Sequence, residues 1–361
     1  MFLIEKYAIT DKSQLLFHKT IFENLEMMKQ AENTCKEEDY FADMSHLIFY
    51  GHSGCGKTSL VNLFLAHVYD DTIYKTKKVK YTIQGYGNTN VDVDITQSNY
   101  HITIIPTNSG FDKYLIQNVI NDYASRQMLN IFKTKRKFKT VIIRNVDNLS
   151  YYAQTSLRCT MEKYIHKCKF ILCVDQMSTI IEPLKSRSLS IRVPMPTESD
   201  IFLTLFVTSL KENHFLSFDE INSIVHKSNR NIKNAMWLME MHLLNIPMEQ
   251  TWEKSIQKIC QYIININDFT VNLVQLNHIK TALYNVLITN IELNHIYIEF
   301  AKTFVSLIPD KELYYQIVSI CAEYEEKSKK GKRYIIHLEA MINKLLWVFY
   351  NKNKNDALKI Q

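Results

Sequence analysis

The chain has 361 residues, 46% of them hydrophobic and 22% charged, which is enough apolar content for packed cores in two or three domains. No run of about 18 apolar residues occurs, and charge comes early in the N-terminal stretch, so neither a membrane span nor a signal peptide is predicted. The net charge of +6 admits a nucleic-acid partner without requiring one, and seven scattered cysteines with no C-x-x-C pair predict reduced thiols, an intracellular protein and no zinc site.

Residues 1–46 read as a lead-in segment and one helix. Asp11 or Ser13 is its candidate cap, and Phe22, Leu25 and Met28 fall at helical spacing. Leu47 to Tyr50 is apolar and runs into Gly51, His52, Ser53, Gly54, Cys55, Gly56, Lys57 and Thr58. This is G-x-x-x-x-G-K-T behind a predicted strand and ahead of a helix predicted from Ser59 to Tyr69. The glycines let the backbone curl, so that successive N–H groups face phosphate oxygens. Lys57 reaches the outer phosphates, Thr58 offers a hydroxyl to Mg²⁺, and the helix aims its positive end at the anion. Residues 51–59 are therefore predicted to bind a nucleotide.

Residues 78–106 are β-like, with Val79, Tyr81 and Ile83 alternating and Ile102, Ile104 and Ile105 forming a buried run. A helix is predicted from Phe111 to about Asn130. The basic connection Lys133–Lys139 leads to a strand at Val141–Ile143, a helix over Tyr152–Tyr164, and a strand over Phe170–Val174. Strands apolar on both faces, alternating with helices, predict a parallel α/β sheet. After Pro194 and Pro196 no strand is evident. Thr197 with Asp200 predicts a capping box opening a helix to Leu210, followed by helices over Phe218–Lys227 and Arg230–Leu244. Longer amphipathic helices follow, including Ile279–Ile288, Ile296–Leu307, Leu313–Glu325 and Ile335–Tyr350, with a basic turn Lys327–Arg333 between the last two.

In a phosphate-loop hydrolase the second core strand ends in acidic residues, one ordering Mg²⁺ and one polarising water. Here the strand ends Arg144, Asn145, Val146, Asp147. The chain resembles AAA+ ATPases, and more closely the small subunits of the sliding-clamp loader, replication factor C. Laid on that family's D-E-A-D, the metal Asp falls on Arg144 and the catalytic Glu on Asn145, while Asp147 is kept. Ser156–Tyr164 is similar to the family's A-L-R-R-T-M-E-x-Y helix. Ile180–Ser188 is similar to I-I-x-P-I-x-S-R-C, whose arginine finger matches Arg187. Arg230–Met236 resembles the lid motif with its second sensor at Lys233, and the first sensor position falls on Asp175. Glu5–Ile9 resembles the adenine-pocket element, with Tyr7 as its match, and Leu16–Lys19 resembles the next part of that pocket. Ile335–Leu346 resembles the last collar helix of the third human small subunit, which also has a damaged acidic motif.

The resemblance implies an α/β AAA+ module over residues 1–195, a helical lid over 196–246 and an all-α collar over 247–361. It implies ATP or ADP as ligand, with Mg²⁺ at Thr58, and weak hydrolysis by the chain itself. Arg187 would act on a neighbouring subunit's ATP. The implied partners are four other loader subunits, a sliding clamp and primer–template DNA contacted without sequence readout, and no membrane. The compartment is the nucleus for a cellular protein or a cytoplasmic factory for a viral one. Lys113 and Arg158 are DNA-binding candidates, with plain exposed helix charges as the competing reading. Arg144 either brings positive charge to the phosphates or turns outward to an acidic partner. Lys133–Lys139 reads chiefly as a solvated loop, and the Trp and Tyr residues of the C-terminal helices read as packing. A stand-alone phosphate-loop motor or nucleotide kinase is the other class. A motor should keep its acidic pair, and a kinase should carry an Arg-rich lid and no collar.

Overall fold

A computed structural model describes residues 2–32, 45–69, 71–84, 90–106, 112–125, 138–246, 251–264, 273–288, 291, 293–308, 311–330 and 333–359. The chain forms two compact units, Met1–Ile246 and Pro247–Gln361.

The first unit opens with α1 (Leu3–Lys6) and α2 (Lys19–Glu32), then β1 (His46–Tyr50) and α3 (Lys57–Val68). Next come β2 (Lys77–Gln84), β3 (Asn90–Gln97) and β4 (His101–Ile104). The helix that follows is broken: α4 (Asp112–Tyr114) passes through a π-helical turn, Leu115–Ile120, into α5 (Asn121–Ser125). Then come β5 (Lys139–Ile143), α6 (Tyr151–Lys163), β6 (Cys168–Val174), α7 (Glu182–Lys185) and β7 (Ser188–Arg192).

The seven strands make one sheet, ordered β2-β3-β4-β5-β6-β1-β7. The stretch from β4 to β7 is parallel, as predicted, with Ile48 opposite Leu172 and Ile142 opposite Ile171. Strands β1, β4, β5 and β6 are buried along almost their whole length, which accounts for their continuous apolar runs. Two features depart from the expected sheet. Strands β2 and β3 pair antiparallel at its edge, with Lys80 opposite Asp94. Their polar alternation marks a face that meets water. The edge strand β7 follows Arg187 directly and pairs with β1. It was not legible because SLSIR has no apolar run.

Two apolar layers cover the sheet. One holds Ile102, Ile143, Leu172, Leu157 and Met161, and the other Leu47, Phe49, Leu60, Phe64 and Ile171. Beyond the sheet lie α8 (Glu198–Lys211), α9 (Phe218–Lys227) and α10 (Ile232–Leu243). Thr197 and Asp200 form the expected capping box, and Ser217 with Glu220 forms a second. At the N-terminus, Asp11 precedes only a short 3-10 turn, Lys12–Gln14, and its side chain caps nothing. Of the basic stretch 133–139, residues 133–137 lie outside the described residues. Lys139 is buried in β5, where it donates to the Tyr123 carbonyl at 3.3 Å.

The second unit consists of α11 (Thr251–Ile264), α12 (Leu273–Ile288), α13 (Leu293–Leu307), α14 (Lys311–Lys330) and α15 (Tyr334–Lys359). Ile256, Ile259, Cys260 and Ile263 sit on one stripe at helical spacing and meet Phe300, Phe304, Leu338 and Leu345 in one core. Tyr297 belongs to this core, whereas Tyr262, Tyr315 and Trp347 are exposed. The basic stretch predicted as a turn begins inside α14, which runs through Lys330.

Two histidines in the sheet tie stability to pH. His46 and His101 are 3% and 4% exposed. Burial, reinforced by Lys169 for His46 and by Arg144 for His101, pulls each imidazole from 6.5 down to about 4. Between those values the unfolded chain takes up protons that the folded chain refuses. The stability is therefore complete above pH 6.5 and is lost as pH falls towards 4, by on the order of 3 kcal/mol for each histidine. Denaturant titrations across this range should show that loss, and His101→Gln should remove about half of it. An unchanged slope in the variant would contradict the assignment.

Candidate nucleotide-binding site

The site is built at the C-terminal ends of β1, β5 and β6. The loop after β1 needs glycine where the backbone is left-handed. Gly54 has φ 78°, and a Cβ there would stand 2.0 Å from the Asn231 side-chain oxygen. Gly56, at φ 97°, is the N-cap of α3, so a side chain there would be strained just where the helix must begin. Lys57 starts α3 and is 9% exposed. Its ammonium donates to the carbonyls of Gly51 (2.5 Å) and His52 (2.9 Å), and to the Asp175 carboxylate (2.6 Å). The lysine is thus folded back on its own loop and held by an acid at the end of β6.

A cavity of about 850 Å³ opens over this loop. Ser53, Gly54, Gly56, Lys57, Thr58 and Ser59 line it from the loop and the first turn of α3. Tyr7, Arg144, Asn145, Asp175 and Lys233 line it as well. Most of the residues singled out in the sequence are therefore brought together. Gly51, His52 and Cys55 of the loop are not among the lining residues: His52 is exposed, whereas Cys55 is 1% exposed and packs into the core under the loop, where burial raises its thiol pKa. The ammonium groups of Lys6 and Lys211 each stand 5.5 Å from the centroid of the Tyr7 ring.

Several partners of the site were not singled out as site residues. Asn231 caps α10 by accepting from the backbone of Lys233 and Asn234, and its amide donates to the Ser53 carbonyl. The Ile232 N–H donates to the Gly54 carbonyl at 3.3 Å. The helix carrying Lys233 is thus stapled to the loop. Neighbouring Arg230 instead donates to the Pro196 and Met195 carbonyls, a structural role. His18 pairs with the Cys55 carbonyl at 3.0 Å, and burial lowers its pKa. An Asn directly before a helix was a readable signal for Asn231.

The three positions after β5 differ in fate. Asp147 accepts from the backbone N–H groups of Asp175 (2.7 Å) and Gln176 (3.0 Å) and from the Thr179 hydroxyl (2.8 Å). Its carboxylate holds the end of β6 in place. Asn145 is exposed and left-handed at φ 50°. Arg144 is half-buried and lines the cavity. Burial lowers its pKa, and no ion-pair partner stands beside it among the described residues. It faces the cavity and does not turn outward. These residues do not suit a divalent cation. A cationic guanidinium stands where the metal carboxylate is expected, the Asp175 acid is engaged by Lys57, and Asp147 is turned to backbone. Thr58 would be the remaining oxygen ligand. Among the described residues no group of three His, Cys, Asp or Glu side chains gathers to hold a metal ion.

Arg187 lies elsewhere, on the exposed turn between α7 and β7. Its guanidinium donates to the Pro183 carbonyl at 2.9 Å and pairs with Glu162 of α6 at 2.7 Å. Arg158 lies 4.0 Å from the same Glu162 oxygen and also donates to the Cys159 sulfur. Lys113 does not join Arg158. It lines a separate groove of about 390 Å³ with Tyr152, Thr155, Ser156 and Lys163.

No family model matches the chain. It is 33% identical over 359 residues to a replication factor C small subunit of Acanthamoeba polyphaga mimivirus, covering 98% of this chain and 93% of that protein. Replication factor C subunit 5 of Oryza sativa subsp. japonica is 29% identical over 361 residues (97% and 98% covered), and subunit 3 of Homo sapiens 28% over 366 residues (99% and 98%). Among solved structures, the RuvB Holliday junction branch-migration motor of Thermotoga maritima superposes at a TM-score of 0.44 with 13% identity, covering 77% of this chain and 85% of that one. Read with the phosphate loop, the capped helices α8 to α10 and Arg187 on its turn, the near-complete viral match shows that the chain belongs to the replication factor C small subunits.

Proposed function

We propose that this chain is the subunit of a five-membered clamp loader that binds nucleotide without hydrolysing it efficiently and supplies Arg187 to a neighbour's ATP. The observation that carries this reading is the contrast between two sites. The phosphate loop keeps its glycines, Lys57 and Thr58, while the end of β5 offers Arg144 and Asn145, neither of which can act as a general base. ATP or ADP would enter the cavity over α3 with its phosphates towards the loop and its base towards Tyr7. On arrival the phosphates replace Asp175 as the partner of Lys57, and Lys233 adds charge from the lid.

The finger role rests on the exposure of Arg187 and on its planar fork, which suits charge developing on a transferring phosphoryl group. The three-part division into residues 1–195, 196–246 and 247–361 follows from the same reading, with the C-terminal helices as the ring-forming collar. The complex would load a ring-shaped clamp onto primer–template DNA in a nucleus or a viral factory. Lys113 and Lys163, beside the hydroxyls of Thr155 and Ser156, would hold DNA phosphates without reading bases. Arg158, shared with Glu162, is the weaker of the two DNA candidates. Among the described residues no helix is long and apolar enough to cross a membrane.

Two experiments test this. The isolated chain should bind ATP yet show steady-state hydrolysis at background, even with primed DNA and clamp present. Robust turnover abolished by Lys57→Ala would contradict the reading. In the assembled complex, Arg187→Ala should slow the neighbouring site about a thousandfold, removing that site's share of the total rate while this chain's own nucleotide affinity stays unchanged. A complex whose ATPase rate ignores the substitution would remove the finger role.

A further inference from the structure

The family's ligand is a magnesium nucleotide, and the residues at the end of β5 do not suit the metal. We infer that this subunit takes its nucleotide without magnesium, with the guanidinium of Arg144 supplying the positive charge that the ion would otherwise bring. The inference rests on the nucleotide-binding reading and extends it to the charge state of the ligand.

Three observations carry it. The first is placement: Arg144 lines the same cavity as Lys57, Thr58 and Lys233. The second is charge. Lys57, Arg144 and Lys233 line the cavity together with two carboxylates, Glu5 and Asp175, and Asp175 already pairs with Lys57 at 2.6 Å. Among the described residues no carboxylate pairs with Arg144, whose positive charge stands in a half-buried position, a situation that an anionic ligand relieves. Its proximity to the phosphate-loop cluster is independently visible at Cys173. Burial raises that thiol to about 11, and Arg144 and Lys57 both act to lower it. The third is the donor set. A metal bound beside Arg144 would sit against a like charge with few oxygen ligands to offset it. A guanidinium offers several N–H donors in a fixed fork, which suits phosphate oxygens directly.

The consequence is an inverted dependence on the ion. Chelated magnesium lowers the negative charge of the phosphates and so weakens what Arg144 contributes. A metal-free nucleotide is the better match, and it is a poor substrate for hydrolysis.

Calorimetric titration of the full chain with ATP and with ADP, each in excess Mg²⁺ and in excess EDTA, tests this. The expected result is an affinity in EDTA equal to or tighter than that in Mg²⁺. Arg144→Ala should then weaken binding in EDTA by about tenfold or more, the scale of one charged hydrogen bond, with a smaller effect in Mg²⁺. Arg144→Lys should retain most of the EDTA affinity, and thermal unfolding of the variants without nucleotide verifies their folding. A loss of more than about tenfold for the wild-type chain in EDTA overturns the inference and needs no variant to show it. An Arg144→Ala chain that binds unchanged in EDTA also overturns it. Absence of binding under both conditions would instead defeat the nucleotide-binding reading itself.

Discussion

Lys57 is the group on which the site depends. Its ammonium is almost fully withdrawn from water, so it must be hydrogen-bonded and charge-compensated within the protein. Two loop carbonyls and Asp175 supply this. Those contacts fold the loop into the curled form that a phosphate group needs, and they set the condition for binding: the phosphates must outcompete a carboxylate that already occupies the lysine. The sheet exists at this end to make that contact possible. Parallel pairing sets β1 beside β6, so the residue after Tyr50 and the residue after Val174 emerge side by side.

The loss of acidic character after β5 is selective in physical terms. Asp147 persists because its carboxylate satisfies three donors at the end of β6. Removing it would strand two backbone N–H groups and release Asp175 from its place beside Lys57. Among the described residues, the Arg144 and Asn145 side chains make no such contacts. A position with no such contact is free to change without disturbing the sheet end. A position that holds the sheet end together is not. Gln154 shows the same logic on α6, where its buried amide bonds to the Leu149 and Thr179 carbonyls and to the Ile181 N–H, linking the helix to the segment that carries Arg187.

Much of this was legible in the sequence because the local signals coincided with tertiary requirements. Buried parallel strands read as apolar runs, and the capping box at Thr197 marks a real helix start. The phosphate loop is specified by glycines that only left-handed backbone explains. What escaped was set by pairing between distant segments. Strand β7 has no apolar run and exists because β1 offers it an open edge. The Lys57–Asp175 pair joins residues 118 positions apart, and from sequence Asp175 read only as the first sensor position. Arg144 had two directions open to it, and only its packing settles that it faces the cavity. The Glu162–Arg187 pair was likewise hidden, since each residue sits in its own motif and neither motif names the other.

Exchange of Asp175 for phosphate at Lys57 can be measured directly. Asp175→Asn keeps the backbone contacts to Asp147 and removes the competing charge. The account predicts that ATP affinity of the intact chain rises about three- to tenfold, the scale of one partly exposed ion pair. A fall in affinity would mean that the carboxylate serves the ligand and does not oppose it, and would contradict the account.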